Sequence, residues 1–405
     1  DYPIVFMPLS TANQAKAVQM SLFASQKTDT VQEETEDKSE SEDEDEDEKK
    51  ESDCKDVAWI HSLASSTCNN VHELVADRVL ESEFGTSGYG HQDYDVHYLS
   101  SGWYRDGILM KRDDFAKESF VQKRLNPHRK DYTVQVGRVG REGFLFDQLS
   151  EAEVIVDIYG YCGTTVMVEA MHSDIVNMVI QGYRTAKNRG AVRQSVLDRE
   201  KYLRPRNNFT ASEKLQISIY MAESLAVLHN FAGGTVVHGD FFVDQQLIGK
   251  DGMIKLGDLN SVRGLQFNNQ TQKYCLSDEY LDGLYYTPEE MAGKPSDESL
   301  DVFQLGVSMY ALLTGLVPFY DERARGMSSS DREWLFYNGK RPFVDKRYRR
   351  RSFIEHEFIE IMEKCWAQEM EDRPSISEVI DLLQKAKAEA QKRGEFEISK
   401  IIKMT

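Results

Sequence analysis

The sequence predicts an α+β fold in two lobes, a small β-rich lobe followed by a large helical one. Three observations carry that expectation. Between about residues 95 and 170 the chain breaks into brief β-branched and aromatic stretches separated by turn signals: YDVHYL, GILM, FVQKRL, VIVDIYG and TTVMVEA. From Thr210 onward helical periodicity dominates, in SEKLQISIYMAESLAVLHN, SLDVFQLGVSMYALLTG, EFIEIMEKCWAQEM and ISEVIDLLQKAKAEA. Ahead of both lies a polar segment culminating in SESEDEDEDEKKESD, which cannot bury enough apolar surface to offset its ordering entropy.

The expected order is therefore a disordered acidic tail over 1–56 and a helical or loop extension over 57–94. The β-rich lobe follows over 95–172, the helical lobe over 173–387 and a C-terminal tail over 388–405. Between Glu33 and Asp53 stand 14 acidic residues against three lysines, a local net of −11 out of the chain's −19. That acidity argues against nucleic acid as a partner, because like charges repel. It would suit a basic partner docking on the tail.

Five cysteines, Cys54, Cys68, Cys162, Cys275 and Cys365, are an odd number with no CxxC pair. They predict reduced thiols rather than a disulfide framework or a zinc site. No run of 18 apolar residues exists to suggest a transmembrane helix. The chain starts at Asp1 and reads as a fragment or processed product, with a cytoplasmic setting favoured. Asn208 (N-F-T) and Asn269 (N-Q-T) are sequons, which matter only in a chain that enters the secretory pathway.

The stretch VVHGDFFVDQQLIGKDGMIKLGDLNSV resembles the catalytic and metal loops of the eukaryotic-type protein kinase family. His238-Gly239-Asp240 stands at the H-R-D position, Gln245 at the asparagine, and Asp258-Leu259-Asn260 in place of D-F-G. Tyr286-Thr287-Pro288-Glu289 is similar to A-P-E. Asp301 opens a segment similar to the buried central helix, and Trp366 with Arg373-Pro374 is similar to the closing pattern of the helical lobe, where Arg373 is expected to pair with Glu289. Upstream, FVQKRL resembles the V-A-I-K strand and nominates Lys123, with Glu142 as its helix partner. Gly102 and Gly107 look like the outer glycines of a G-x-G-x-x-G loop. The resemblance covers residues 95 to 387 and implies a bilobal protein kinase-like fold.

What it implies chemically is transfer of the γ-phosphate of ATP to a protein hydroxyl, with Mg²⁺. Lys123, held by Glu142, would bind the α/β-phosphates. Asp258 would bind Mg²⁺, with Gln245 as second metal ligand, and Asp240 would orient and deprotonate the attacking hydroxyl. The hinge Glu169-Ala170-Met171 would bond adenine through its backbone, with Leu109, Val121 and Leu247 on its faces.

Several positions depart from the family pattern. Gln245 is one methylene longer than asparagine. Phe242 and Asp244 stand where serine/threonine and tyrosine kinases respectively place a cation beside the transferring phosphoryl, a loss of roughly 3–4 kcal/mol by analogy with similar groups. Tyr104 replaces the middle glycine of the phosphate loop. Asn260 replaces the D-F-G glycine, a mild change because asparagine tolerates positive φ. Gly239 replaces the arginine that receives an activation-loop phosphate, weakening a switch through Thr271, Tyr274, Ser277 or Tyr280. Gly137, Gly140 and Gly143 each cost about 1 kcal/mol in a helix interior. They predict a short or frayed glutamate helix, and a Lys123–Glu142 pair that stays open without ligand. The alternative to an active kinase is a pseudokinase, a nucleotide-responsive scaffold; an interaction protein working through the acidic tract is a third reading.

Overall fold

A computed structural model describes residues 54–56, 95–101, 105–111, 119–126, 132–181, 183, 205–249, 251–277, 285–324 and 326–398. Its strands in chain order are β1 (Cys54–Lys55), β2 (Asp95–Ser101), β3 (Arg105–Lys111), β4 (Ser119–Leu125), β5 (Ile158–Cys162), β6 (Thr165–Glu169) and β7 (Ser173–Asp174). Short strands follow in the second lobe: β8 (Val236–Val237), β9 (Gln246–Ile248), β10 (Ile254–Leu256), β11 (Arg263–Gly264), β12 (Phe267–Asn268) and β13 (Lys273–Tyr274). The five longest helices are α1 (Tyr132–Gln148), α2 (Ala211–His229), α3 (Ser299–Thr314), α4 (Phe353–Cys365) and α5 (Ile376–Lys392).

The first lobe is an antiparallel sheet in the order β2-β3-β4-β6-β5, with α1 between β4 and β5 in sequence. Its register fixes which side chains share a face. Gly107 lies opposite Lys123 and Leu109 opposite Val121, while Lys123 and Val121 lie opposite Val166 and Val168 on β6. Because side chains alternate along a strand, Arg105, Gly107, Leu109, Val121 and Lys123 all belong to one face.

Helix α1 is regular through Gly137, Gly140 and Gly143. The expectation of a short or frayed helix fails, and packing is the reason. Val139, Leu145 and Phe146 are buried in the core. At Gly143 a Cβ would fall 2.4 Å from the Tyr161 ring, so the glycine is what lets β5 approach the helix. Tertiary burial outweighs intrinsic propensity here.

The second lobe forms around α3, whose residues from Leu300 to Thr314 are all buried. A mainly apolar helix buried on every side belongs inside a core, and α2 and α4 pack against it. It ends at Gly315, with φ 72°, where a Cβ would lie 2.8 Å from the Asn207 amide nitrogen. Helices α2 and α5 start at capping boxes, Thr210 with Glu213 and Ser375 with Glu378. Helix α5 runs to Lys392, past the expected boundary at 387. Arg373 meets Glu289 through two parallel bonds, both 2.7 Å, as the sequence predicts.

Two expectations are corrected. Cys54 and Cys275 form a disulfide, and Cys162 is disulfide-bonded as well, so the cysteines are not all reduced thiols. Cys365 is free and fully buried. The acidic tail, expected to be disordered through 56, ends in ordered chain: Cys54–Lys55 form β1, paired with β12. The rest of the expected tail and the 57–94 extension lie outside the described residues. No described helix is long and apolar enough to cross a membrane.

Candidate active site

The site lies between the lobes, and most of its charged groups come from four places. Strand β4 brings Lys123, β3 brings Arg105, α1 brings Glu142, and the loop after β10 brings Asp258. Lys123 Nζ donates to Glu142 Oε1 at 2.5 Å, to Asp258 Oδ1 at 3.1 Å and to the Gly257 carbonyl at 3.2 Å. The pair expected to stay open is therefore closed. Glu142 is fully buried and its other oxygen, Oε2, is ion-paired with Arg105 Nη1. Two cations and two carboxylates thus form one buried cluster.

The electrostatics follow from that burial. Burial pushes Lys123 down to about 8, against the pull of Asp258. Arg105 is likewise lowered by burial. Burial works against the charge of Asp258, but Lys123 and Arg105 outweigh it and hold the carboxyl below its ordinary value.

The catalytic-loop segment is held by a network rooted in α3. Asp301 accepts from the His238 amide at 2.7 Å, the Gly239 amide at 2.9 Å and His229 Nε2 at 2.9 Å. Gln304 Oε1 accepts from the Phe241 amide at 2.7 Å, and its Nε2 donates to the carbonyls of Gly239 and Tyr285 at 3.1 Å. The Asp240 amide donates to His238 Nδ1 at 3.2 Å, so the imidazole proton sits on Nε2 and is donated to the Asp258 carbonyl at 2.8 Å. Burial lowers the His238 pKa, in keeping with a neutral ring. One imidazole therefore ties the loop of Asp240 to the loop of Asp258. Gly239 adopts φ 77°, a backbone that arginine would adopt only with strain.

Gln245 Nε2 donates to Asp240 Oδ2 at 3.3 Å. Phe242 is buried, its ring centroid 4.7 Å from Tyr285 and 6.2 Å from Tyr183, and Tyr183 donates to Asp244 Oδ2 at 3.2 Å. Asn260 donates to Asp258 from its amide and from Nδ2, each at 3.3 Å. Leu259 is buried beneath α1, with its amide 3.5 Å from Glu142 Oε1.

On the apolar side, Leu109, Val121 and Leu247 are half-buried, and Leu247 Cδ1 would lie 2.3 Å from a Cβ on Gly257. The Glu169 carboxylate accepts from Lys255 Nζ at 2.5 Å and from the Asp157 amide at 2.9 Å, so this side chain braces the connection between lobes. The Met171 amide has no hydrogen-bond partner among the described residues. Gly107 sits opposite Lys123, whereas Gly102 and Tyr104 lie outside the described residues. Of the site residues expected from sequence, Lys123, Glu142 and Asp258 are joined by direct contacts, and Gln245 contacts Asp240. Arg105 is the residue that the sequence reading passes over; its strand period with Gly107 and Leu109 is the signal for it.

A family model described as a protein kinase domain matches residues 109–382. Integrin-linked protein kinase 1 of Arabidopsis thaliana is 26% identical over 195 residues, 48% of this chain and 39% of the relative. Serine/threonine-protein kinase STY46 of the same plant is 23% identical over 300 residues, 74% of this chain and 45% of the relative. Serine/threonine-protein kinase VIK, also from Arabidopsis thaliana, is 24% identical over 196 residues, 47% of this chain and 41% of the relative. The chain spans less than half the length of each of these relatives. The family match covers well over half of the chain, on a two-lobed fold, and the chain belongs to the protein kinase family.

Proposed function

We propose that the cleft binds ATP with Mg²⁺ and transfers the γ-phosphate to a hydroxyl of a protein substrate. The observation that carries this reading is Lys123 bonded at once to Glu142 on α1 and to Asp258 on the metal loop. Phosphoryl transfer is mostly positioning and charge neutralisation, and this contact aligns the groups that would do both. The donor set fits the ligand. Lys123 and Arg105 would meet phosphate oxygens, which need cations, while the carboxylate of Asp258 and the amide carbonyl of Gln245 suit a hard oxygen-seeking metal.

Gly102 and Gly107 would flank the phosphates. Leu109, Val121 and Leu247 would enclose the adenine, with the backbone of Glu169 and Met171 offering its hydrogen bonds. Asp240 would take the proton of the attacking hydroxyl; its loop is held by His238, Asp301 and Gln304.

A second reading is a pseudokinase that binds nucleotide and signals by shape. Phe242 favours it: the position of the family's cation is filled by a ring packed against Tyr285. The test measures Mg²⁺-dependent ATP binding and γ-phosphate transfer on wild type and Asp240→Asn together. Transfer that disappears in the variant while binding persists is the expected result. Binding with no transfer by wild type, to itself or to generic substrates, would replace the first reading with the second.

A further inference from the structure

The segment that follows Asp258 is fastened in a way that phosphoryl transfer does not require. Strands β12 and β13 form a hairpin there, with Phe267 opposite Tyr274 and their rings 5.1 Å apart. Strand β1 adds to the other side of β12, pairing Cys54 with Asn268 and Lys55 with Phe267. The disulfide from Cys54 to Cys275 closes this three-stranded unit across 221 residues of sequence. Gln266 Nε2 also donates to Asp56 Oδ1 at 2.9 Å. At the far end, Ser277 and Ser296 exchange backbone bonds of 2.8 Å. Cys162, at the end of β5, is oxidised too. The one free cysteine among the described residues, Cys365, is fully buried, and burial pushes its thiol up to about 12, far from reactive.

Structural disulfides form and persist in oxidising compartments and are rare where the thiol pool keeps cysteines reduced. The sequons give a second, independent observation. Asn208 is exposed immediately before α2, and Asn269 is exposed in the turn of the β12–β13 hairpin. We infer that the chain folds in and works from an oxidising compartment of the secretory route, where Cys54–Cys275 pins the segment after the metal loop and at least one of Asn208 and Asn269 accepts an N-glycan. An oxidising compartment departs from the cytoplasmic setting that the sequence favours.

The chemistry balances with ordinary reagents of that route. Each thiol gives up one proton and one electron, and the two electrons reduce a disulfide-bearing oxidoreductase to its dithiol. Each glycan transfer forms a bond from asparagine Nδ2 to the anomeric carbon of a lipid-linked oligosaccharide. The bond from that carbon to the lipid diphosphate breaks, and the asparagine proton leaves with the diphosphate.

None of this depends on the proposed phosphoryl transfer, since a kinase and a scaffold would carry the same marks. Taken with that proposal, it assigns the substrate class: a secreted or lumenal protein. The test uses the full protein isolated from its own cells, with free thiols alkylated before lysis. Digestion without reduction is followed by peptide mapping, and glycosidase treatment in heavy-oxygen water marks glycosylated asparagines. The expected result is a linked Cys54–Cys275 peptide without alkylation at either residue, and a glycan mark at Asn208 or Asn269. Alkylated Cys54 and Cys275, or both asparagines unmodified, would overturn the inference. Transfer assays on the same preparation report separately on the kinase reading.

Discussion

Arg105 occupies the oxygen of Glu142 that Lys123 leaves open. One buried carboxylate therefore holds two cations, and both lie on the same face of the sheet. On the proposed function, the loss of the family's cation at Phe242 need not leave the phosphates short of positive charge, because Arg105 would supply one from the opposite lobe. Charge-assisted bonds of this kind contribute roughly 1.5–3 kcal/mol. Arg105→Met should therefore weaken Mg-ATP binding by about 10- to 100-fold, with Arg105→Lys recovering part of the loss. Fluorescence titration with nucleotide checks this; unchanged or tighter binding by Arg105→Met would show that the arginine only braces α1.

Much of the fold is legible in the sequence because its signals are local. The resemblance of FVQKRL to the V-A-I-K strand nominates Lys123, and the mainly apolar segment from Leu300 reads as a helix. What is hidden depends on partners distant in the chain. Reading the second strand as Gly107–Met110 leaves Arg105 in a loop, whereas pairing with β4 extends the strand back to Arg105 and puts it in period with Gly107. Glycine propensity argues against α1, but propensity is blind to the Tyr161 ring that needs the space at Gly143. Gly239 reads as a missing arginine, while its φ of 77° makes it a backbone requirement. The Cys54–Cys275 pairing spans too much chain for spacing to reveal it.

Nucleotide affinity should depend on pH through Lys123. Its folded value of about 8 means that the ligand-free site loses the charge as pH rises through 8. Phosphate favours the protonated form, so binding takes up a proton above that point. Affinity should be flat below about pH 7 and then fall, by at most about tenfold per unit. Isothermal titration in two buffers of different ionisation enthalpy, from pH 6.5 to 9.5, would expose the proton uptake. A flat affinity across that range would rule out Lys123 as the titrating group.

The Glu289–Arg373 pair ties the segment after the disulfide-held hairpin to the closing part of the helical lobe. Both side chains are buried and the bonding is bidentate. Removing one partner strands a charge in the core, so Arg373→Ala should destabilise the fold by about 3–5 kcal/mol. The double change Glu289→Ala with Arg373→Ala should cost less than the sum of the single changes. Denaturant unfolding of the four proteins decides it. Additive losses would mean that the two residues act independently.

Lys214 sits within α2 with its Nζ donating to the Leu313 carbonyl at 2.9 Å, at the C-terminal end of α3 where a cation complements the helix dipole. Burial nevertheless dominates and pushes it down to about 7, with Glu355 only partly restoring the charge. The native state thus releases this proton near pH 7, while the unfolded chain keeps it to about 10.5. Between those values the unfolded state binds more protons, so stability rises with pH across the window, by at most about 1.4 kcal/mol per unit. Below pH 7 the cost of the buried charge is fully present. Lys214→Met removes the titration, so its stability profile should lie flatter than wild type from pH 7 to 9 and the gap should favour the variant most at pH 6. Urea midpoints at each pH measure the difference. Parallel profiles would show that Lys214 keeps its proton throughout, and that the Leu313 carbonyl and the dipole of α3 outweigh its burial.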